Sequence, residues 1–295
     1  MSALGTIITA MITPFDEQGN LHLDEAQRLA SWLVDRGNDG LVVAGSTGEG
    51  MTLDAGERNE LFRAVKAAVG AKASIIANVG TSDTRSTIRA AREAEAAGVD
   101  GLLVVVPPYS KPPQNGMMGH FGSVAESTRL PIVIYNIPGR TASNMLPETM
   151  IELAQRYTNI AGVKESSGDL KQIATIVRDK PSTFTVWCGD DHLFLPSLAV
   201  GAQGLVGVAT HLASPAYREL FDAYCGGNVA RAAAIHASLL ELGDALFATT
   251  NPIGIKWAMN QLGFRAGRCR LPLDVLPPAL AQRLQPLLAP YLAHA

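Results

Sequence analysis

Short apolar runs recur along the chain, and the segments between them carry helical periodicity. The runs at residues 6–10, 40–44, 74–78, 101–106, 131–135, 160–164, 183–187 and 204–208 are brief and largely apolar, and each predicts a strand. In the segment 23–36 the residues Ala26, Leu29, Ala30, Leu33 and Val34 fall three and four apart, on one face of a helix. Asp54, followed three residues later by Glu57, has the spacing of a capping box. The segment 84–97 is rich in Ala and Arg and runs into Gly98, a residue suited to the turn that ends a helix. Strands alternating with helices predict a parallel sheet, and eight such units favour closure into a (β/α)8 TIM barrel. No GxGxxG follows the first run, which weighs against an open dinucleotide-binding sheet.

After Leu220 the pattern changes. Segments 230–247, 251–262 and 277–292 read as helices, with no strand among them. The prediction is a catalytic barrel over residues 1–224 and a C-terminal helical region over 225–295. The apolar residues of that region, such as Leu239, Leu242, Trp257 and Met259, read as core, and no chemistry is assigned to it.

One run stands apart. Asn159 to Asp169 rises through apolar residues to Lys164 and then breaks into Glu, Ser, Ser, Gly and Asp. Strand alternation places Ile160, Gly162 and Lys164 on one side. Burial disfavours an ammonium, so a lysine ending an apolar strand is able to act as a free amine that attacks a carbonyl. On this stretch alone, a lysine that snorkels to water is the ordinary reading. The other strand ends change it, because barrel chemistry sits at the carboxyl ends of the strands. Those ends carry Ser46 and Thr47 in a Gly-flanked turn, Tyr109 after the fourth strand, Tyr135 and Arg140 after the fifth, and Gly189 after the seventh. An amine, a phenol and small hydroxyls at one mouth are the groups that Schiff-base chemistry needs: a nucleophile, a proton relay and donors for a carboxylate. Each has a plainer reading. The glycine turn could be only a turn, Tyr135 a barrel-filling aromatic, and Arg140 the partner of a surface acid. Asp190-Asp191-His192 suggests a metal site, yet no further ligand stands at a fixed spacing. The six histidines, His22, His120, His192, His211, His236 and His294, are scattered.

Composition narrows the function classes. The 295 residues are 47% hydrophobic and 17% charged, enough for a large core. The net charge of −3 and the lack of a basic block give no sign of nucleic acid or an anionic membrane surface. Cys188, Cys225 and Cys269 are odd in number and far apart, which fits reduced thiols of a cytoplasmic protein. No basic segment precedes an apolar stretch at the N-terminus and no run reaches membrane-span length, so a soluble, unexported protein is expected.

Together these residues resemble the dihydrodipicolinate synthase family of the pyruvate-dependent class I aldolase superfamily, over almost the whole chain. The resemblance is carried by Thr13-Pro14-Phe15, Gly45 to Glu49, Pro108 to Pro112, Tyr135 to Thr141, Val163-Lys164-Glu165, Gly189-Asp190-Asp191 and Asn251-Pro252-Ile253. It implies that Lys164 forms an imine with pyruvate, that Tyr135 relays protons, and that Thr47 and the turn amides hold the pyruvate carboxylate. It implies that Ser46, where the family usually has threonine, links Tyr135 to Tyr109, and that Tyr109 reaches a neighbouring subunit's site. Arg140 is implied at the entrance, binding the carboxylate of L-aspartate 4-semialdehyde, with Gly189 and Val206 lining the pocket. A homotetramer built as a dimer of dimers, small-molecule substrates only, and no metal or organic cofactor complete the expectation.

Two departures bear on substrate. Ser46 keeps the hydroxyl and loses the methyl that restrains its rotamer, and a Gly-Ser-Thr-Gly-Glu turn is also common in the sialic acid lyase branch. Arg140 points the other way, since a guanidinium suits a small acidic aldehyde. The synthase is therefore favoured over an N-acetylneuraminate lyase or a 2-keto-3-deoxy sugar acid aldolase, and over a non-catalytic keto-acid sensor. Ala55, Arg58, Ser82, Ser86 and Pro108 stand where the resemblance implies that lysine-sensitive members carry histidines, an asparagine, a glutamate and a tyrosine, so inhibition by L-lysine is expected to be weak or absent.

Overall fold

The structure is a computed structural model that describes residues 4–292. Met1 to Ala3 and residues 293–295, His294 among them, lie outside the described residues. Eight parallel strands close into a barrel: β1 (Ile7–Ala10), β2 (Gly40–Val43), β3 (Ser74–Asn78), β4 (Gly101–Val105), β5 (Ile132–Asn136), β6 (Ile160–Glu165), β7 (Thr185–Cys188) and β8 (Gly204–Gly207), with β8 paired back to β1. The TIM barrel predicted from periodicity is the observed fold, and each of the eight predicted strands is present.

Alternation along the strands builds two cores. Ile8, Ala10, Val42, Ile76, Leu103, Val133, Tyr135, Trp187 and Val206 pack inside the barrel. Their neighbours Ile7, Leu41, Val43, Ile75, Leu102, Val104, Ile134, Val186 and Leu205 face the helices. Both faces are dry, as expected for a parallel sheet covered by helices. The helix Leu23–Asp35 buries Ala26, Leu29, Ala30 and Leu33, the stripe anticipated from spacing. The helix Ala55–Val69 starts at a complete capping box, with Asp54 Oδ1 accepting from the Glu57 amide at 2.9 Å and Glu57 Oε2 accepting from the Asp54 amide at 3.0 Å.

Two expectations are corrected. Ile160 does not share the side of Lys164. The pairing of β5 with β6 shifts register between Ile132 and Val133, so Ile160 stands opposite Ile132 and Gly162 opposite Val133. The extra residue, Ala161, breaks alternation. Ile160 therefore joins Val163 in the helix-facing core, and only beyond the irregularity does the strand present Lys164 inward. The second correction is the last helix. Residues 277–292 do not form one helix; Pro278–Leu284 gives way to a tighter turn over Gln285–Leu288 and then Ala289–Leu292. Pro286 lies in the break, and it has no amide to continue the ladder.

Trp187 fills the barrel beneath the mouth. It is fully buried, its indole N–H donates to Gly5 O at 3.0 Å, and the two strands beside it present glycine. A Cβ on Gly162 would overlap the carbonyl of Thr185 and lie 2.7 Å from Trp187 Cζ3; one on Gly204 would lie 2.6 Å from Trp187 Cδ1. Gly162→Ala should therefore lower stability by about 1–3 kcal/mol or more, because the obstructing atom is backbone. Gly119→Ala, in the exposed face of the helix Gln114–Glu126 where nothing approaches, should leave stability unchanged or raise it by up to about 1 kcal/mol. Urea unfolding midpoints of the two variants check this; equal midpoints would contradict the packing account.

Candidate active site

The β5–β6 register puts Tyr135 opposite Lys164, and β6–β7 puts Lys164 opposite Trp187. Lys164 is 4% exposed and its Nζ lies over the Tyr135 ring, 4.3 Å from the centroid. A Cβ on Gly189 would lie 3.0 Å from both Lys164 Cε and Cγ. The glycine thus leaves the lysine stem its space on the side away from Tyr135. Val206 on β8 belongs to the same interior cluster as Tyr135.

The ends of β5 and β6 are locked one residue beyond this pair. Asn136 stands opposite Glu165, and its Nδ2 donates to Glu165 Oε2 at 3.0 Å and Oε1 at 3.2 Å. Glu165 also accepts from the Ser167 amide at 2.8 Å and from Gln172 Nε2 at 3.1 Å. Burial raises the pKa of this carboxyl, and the surrounding donors oppose the rise. The β7 and β8 ends are joined by Asp191, whose buried carboxyl accepts from the Val208 amide at 3.0 Å and is likewise raised by burial. Asp190 caps the short turn at Asp191–Leu193 through the His192 amide. The acidic pair that suggested a metal is engaged in these backbone contacts. His211 ties β8 to β1: its Nε2 accepts from the Ile12 amide at 3.1 Å, so Nδ1 carries the proton and donates to Val208 O at 2.8 Å. Full burial pushes its pKa down to about 4.

Across the mouth lies the turn after β2. Thr47 is buried, and its Oγ1 accepts from Asn251 Nδ2 at 2.9 Å. Arg140 is exposed and donates from Nη2 to the Asn251 carbonyl at 3.3 Å, so it pairs with backbone rather than with a surface acid. Ala44 and Glu49 hold the turn with φ of 55° and 52°, left-handed values that non-glycine residues adopt at a cost. The surroundings fix that conformation. Thr13 Oγ1 donates to Gly48 O at 2.6 Å. Lys256 Nζ meets Glu49 Oε1 at 2.6 Å in a fully buried ion pair, and the Arg270 amide donates to Glu49 Oε2 at 2.8 Å. Phe15 lies under both cations, 4.0 Å from Lys256 Nζ and 4.3 Å from the Arg270 guanidinium. Burial lowers the pKa of Lys256 and Glu49 counteracts it.

The structure thus brings together Lys164, Tyr135, Gly189 and Val206 on one side of the mouth, and joins Thr47 to Arg140 through Asn251 on the other. Ser46 sits half-buried in the turn, and among the described residues no hydrogen bond connects it to Tyr135 or Tyr109. Tyr109 is 94% exposed with φ of 71°. Sequence reasoning gave the C-terminal region no chemistry: it quoted Asn251 only as a carrier of the resemblance, without a role, and missed Lys256 and Arg270; all three grip the turn from about two hundred residues away. It also assigned no role to Glu49, Asn136 or Glu165. The available signal was a lysine, Lys256, inside an apolar helix, which demands a buried acid somewhere.

Residues 3–288 match the sequence profile of the Dihydrodipicolinate synthetase family. The chain belongs to this family. The 4-hydroxy-tetrahydrodipicolinate synthase of Moorella thermoacetica is 51% identical over 91% of this chain and 92% of its own. The synthase of Thermosynechococcus vestitus is 47% identical over 98% and 97%. Among solved structures, the family member from Cyanidioschyzon merolae, crystallised with lysine bound, superposes with a TM-score of 0.97 at 40% identity, and the match covers 100% of both chains.

The family's turn is held here by a buried ion pair, which makes a direct prediction. Lys256→Met leaves Glu49 buried without its cation and should cost about 3–5 kcal/mol. Glu49→Gln in the same chain keeps an oxygen for the Arg270 amide and should recover much of that loss. Denaturant unfolding of the single and double variants measures both, and an unchanged midpoint for Lys256→Met would count against the clamp.

Proposed function

We propose that the chain is a 4-hydroxy-tetrahydrodipicolinate synthase that condenses pyruvate with L-aspartate 4-semialdehyde through an imine on Lys164. The observation that carries this reading is a buried amine lying over the ring of a buried tyrosine, at the carboxyl end of the barrel strands. Synthases at up to 51% identity over most of the chain support the choice of substrates.

The steps follow from the groups present. The Lys164 amine attacks C2 of pyruvate, Tyr135 carries protons between nitrogen and oxygen, and water leaves to give a protonated imine. The imine is an electron sink, so the methyl group loses a proton and becomes the enamine carbon. That carbon attacks the aldehyde, and attack by the substrate's own amino group on the imine carbon then closes the ring and frees the lysine. Thr47 and the amides of its turn hold the pyruvate carboxylate, with Asn251 orienting the threonine hydroxyl. Arg140 receives the carboxylate of the aldehyde at the entrance, and Gly189 and Val206 shape the wall. None of these steps calls on a metal or an organic cofactor.

Tyr109 and Ser46 take their roles in an assembly. An aromatic that is almost wholly exposed on a left-handed backbone is poorly placed in a lone chain and gains when a second copy covers it. We assign it to the neighbouring subunit's site in a homotetramer, where Ser46 bridges it to Tyr135. We read residues 1–224 as the catalytic unit and residues 225–295 as the C-terminal region, in which Asn251, Lys256 and Arg270 brace the mouth. Among the described residues no helix is long and apolar enough to cross a membrane, and a cytoplasmic enzyme fits that and the cysteine usage.

Two measurements test this reading. Incubation with pyruvate and borohydride should reduce the imine to a stable adduct that peptide mapping places on Lys164. Lys164→Ala should form none and lose turnover by about 10³-fold or more. An adduct on another residue, or undiminished turnover, would overturn it. Ala55, Arg58, Ser82, Ser86 and Pro108 offer a lysine ligand few partners. L-lysine at millimolar concentration should therefore reduce the initial rate by less than about half, an affinity weaker than roughly 4 kcal/mol. Strong suppression would show that this chain takes lysine as the Cyanidioschyzon merolae protein does.

A further inference from the structure

Ser166 stands two residues beyond Lys164, on the side of the mouth away from Tyr135. Its amide donates to Asn136 O at 2.8 Å, and the adjacent Gly189 amide donates to Glu165 O at 2.8 Å, so backbone on both flanks fixes its place. Its Oγ is buried and has no hydrogen-bond partner among the described residues. A buried hydroxyl left in that state costs free energy, and most such groups find a partner. The same point in space locates it against the nucleophile. A Cβ built on Gly189 would overlap Ser166 Oγ and lie 3.0 Å from Lys164 Cε. The hydroxyl and the lysine stem therefore border one gap, which exists because position 189 has no side chain.

We propose that Ser166 is a substrate-contacting residue whose hydroxyl donates a hydrogen bond to the carbonyl oxygen of the incoming aldehyde. The inference rests on the imine reading above and adds a group to it. The keto acid's oxygens are already assigned: its carboxylate goes to the turn at Thr47, and its carbonyl oxygen leaves as water with protons relayed by Tyr135. Its third carbon, a methyl, has nothing to offer a hydroxyl. Alternation returns Ser166 to the Lys164 side one step nearer solvent, the side from which a second substrate reaches the enamine. When the enamine carbon bonds to the aldehyde carbon, the carbonyl π pair moves onto oxygen and the enamine nitrogen becomes an imine again. A fixed O–H aimed at that oxygen favours the transition state over the ground state. The oxygen then takes a proton from solvent and remains in the product as a hydroxyl.

The test compares the intact enzyme with Ser166→Ala, using pyruvate and L-aspartate 4-semialdehyde. Loss of one neutral hydrogen bond predicts a fall of about tenfold in kcat/KM for the aldehyde. The KM for pyruvate and the rate of borohydride-trapped adduct formation should stay within about twofold of wild type, a split that a merely structural serine would not produce. Ser166→Thr and Ser166→Val provide a second comparison of equal shape. The threonine variant should retain most of the aldehyde kcat/KM, and the valine variant should lose it. The inference is overturned if Ser166→Ala leaves the aldehyde kcat/KM within twofold, if adduct formation slows as much as turnover, or if the Thr and Val variants are equal. Wild-type turnover and the adduct on Lys164 report on the imine reading itself, and the ratios between variants report on Ser166.

Discussion

The candidate site is organised around a lysine kept among apolar and aromatic side chains, with no carboxylate bound to it among the described residues. Several acids do lie at the strand ends, and each is occupied elsewhere: Glu165 by Asn136, Gln172 and the Ser167 amide, Asp191 by the Val208 amide, and Glu49 by Lys256 and the Arg270 amide. These contacts are usually read as structural. Here they also engage the acids around the mouth, each of which is held by amides, side-chain donors or a second lysine.

Space is arranged as carefully as charge. Gly162 and Gly204 admit Trp187 to the barrel interior, and Gly189 gives the Lys164 stem its gap beside Ser166. The irregularity between β5 and β6 reverses which face Ile160 presents without moving Lys164 off the interior. A strand whose apolar residues pointed the wrong way would place the amine among the helices, so the single extra residue has an effect out of proportion to its size.

The Thr47 side of the mouth is built differently. Lys164 and Tyr135 sit on adjacent strands and need only the barrel's register. Thr47 sits in a turn with two non-glycine residues in left-handed conformation, which local sequence does not favour. That turn is held from the C-terminal region by Asn251 and by the Glu49–Lys256 pair. The helices after the barrel thereby become part of the site, although none of their residues reads as catalytic in isolation.

The pattern of apolar and polar positions was enough to determine eight strands, their alternation with helices, the closed barrel and the candidate lysine, because burial on two faces leaves each strand as a short, nearly continuous apolar run, while helices covered on one face keep a three-four spacing. The pairing of Tyr135 with Lys164 was nearly legible, since neighbouring units become neighbouring strands. Tertiary structure alone decided the rest. The side on which Ile160 lies turns on one unpaired residue, the support of Thr47 comes from residues remote in sequence, and the unpartnered hydroxyl of Ser166 can be recognised only once every surrounding group has been placed. Hydrogen bonds between distant segments leave no such trace, whereas the exclusion of water from both faces of a sheet does.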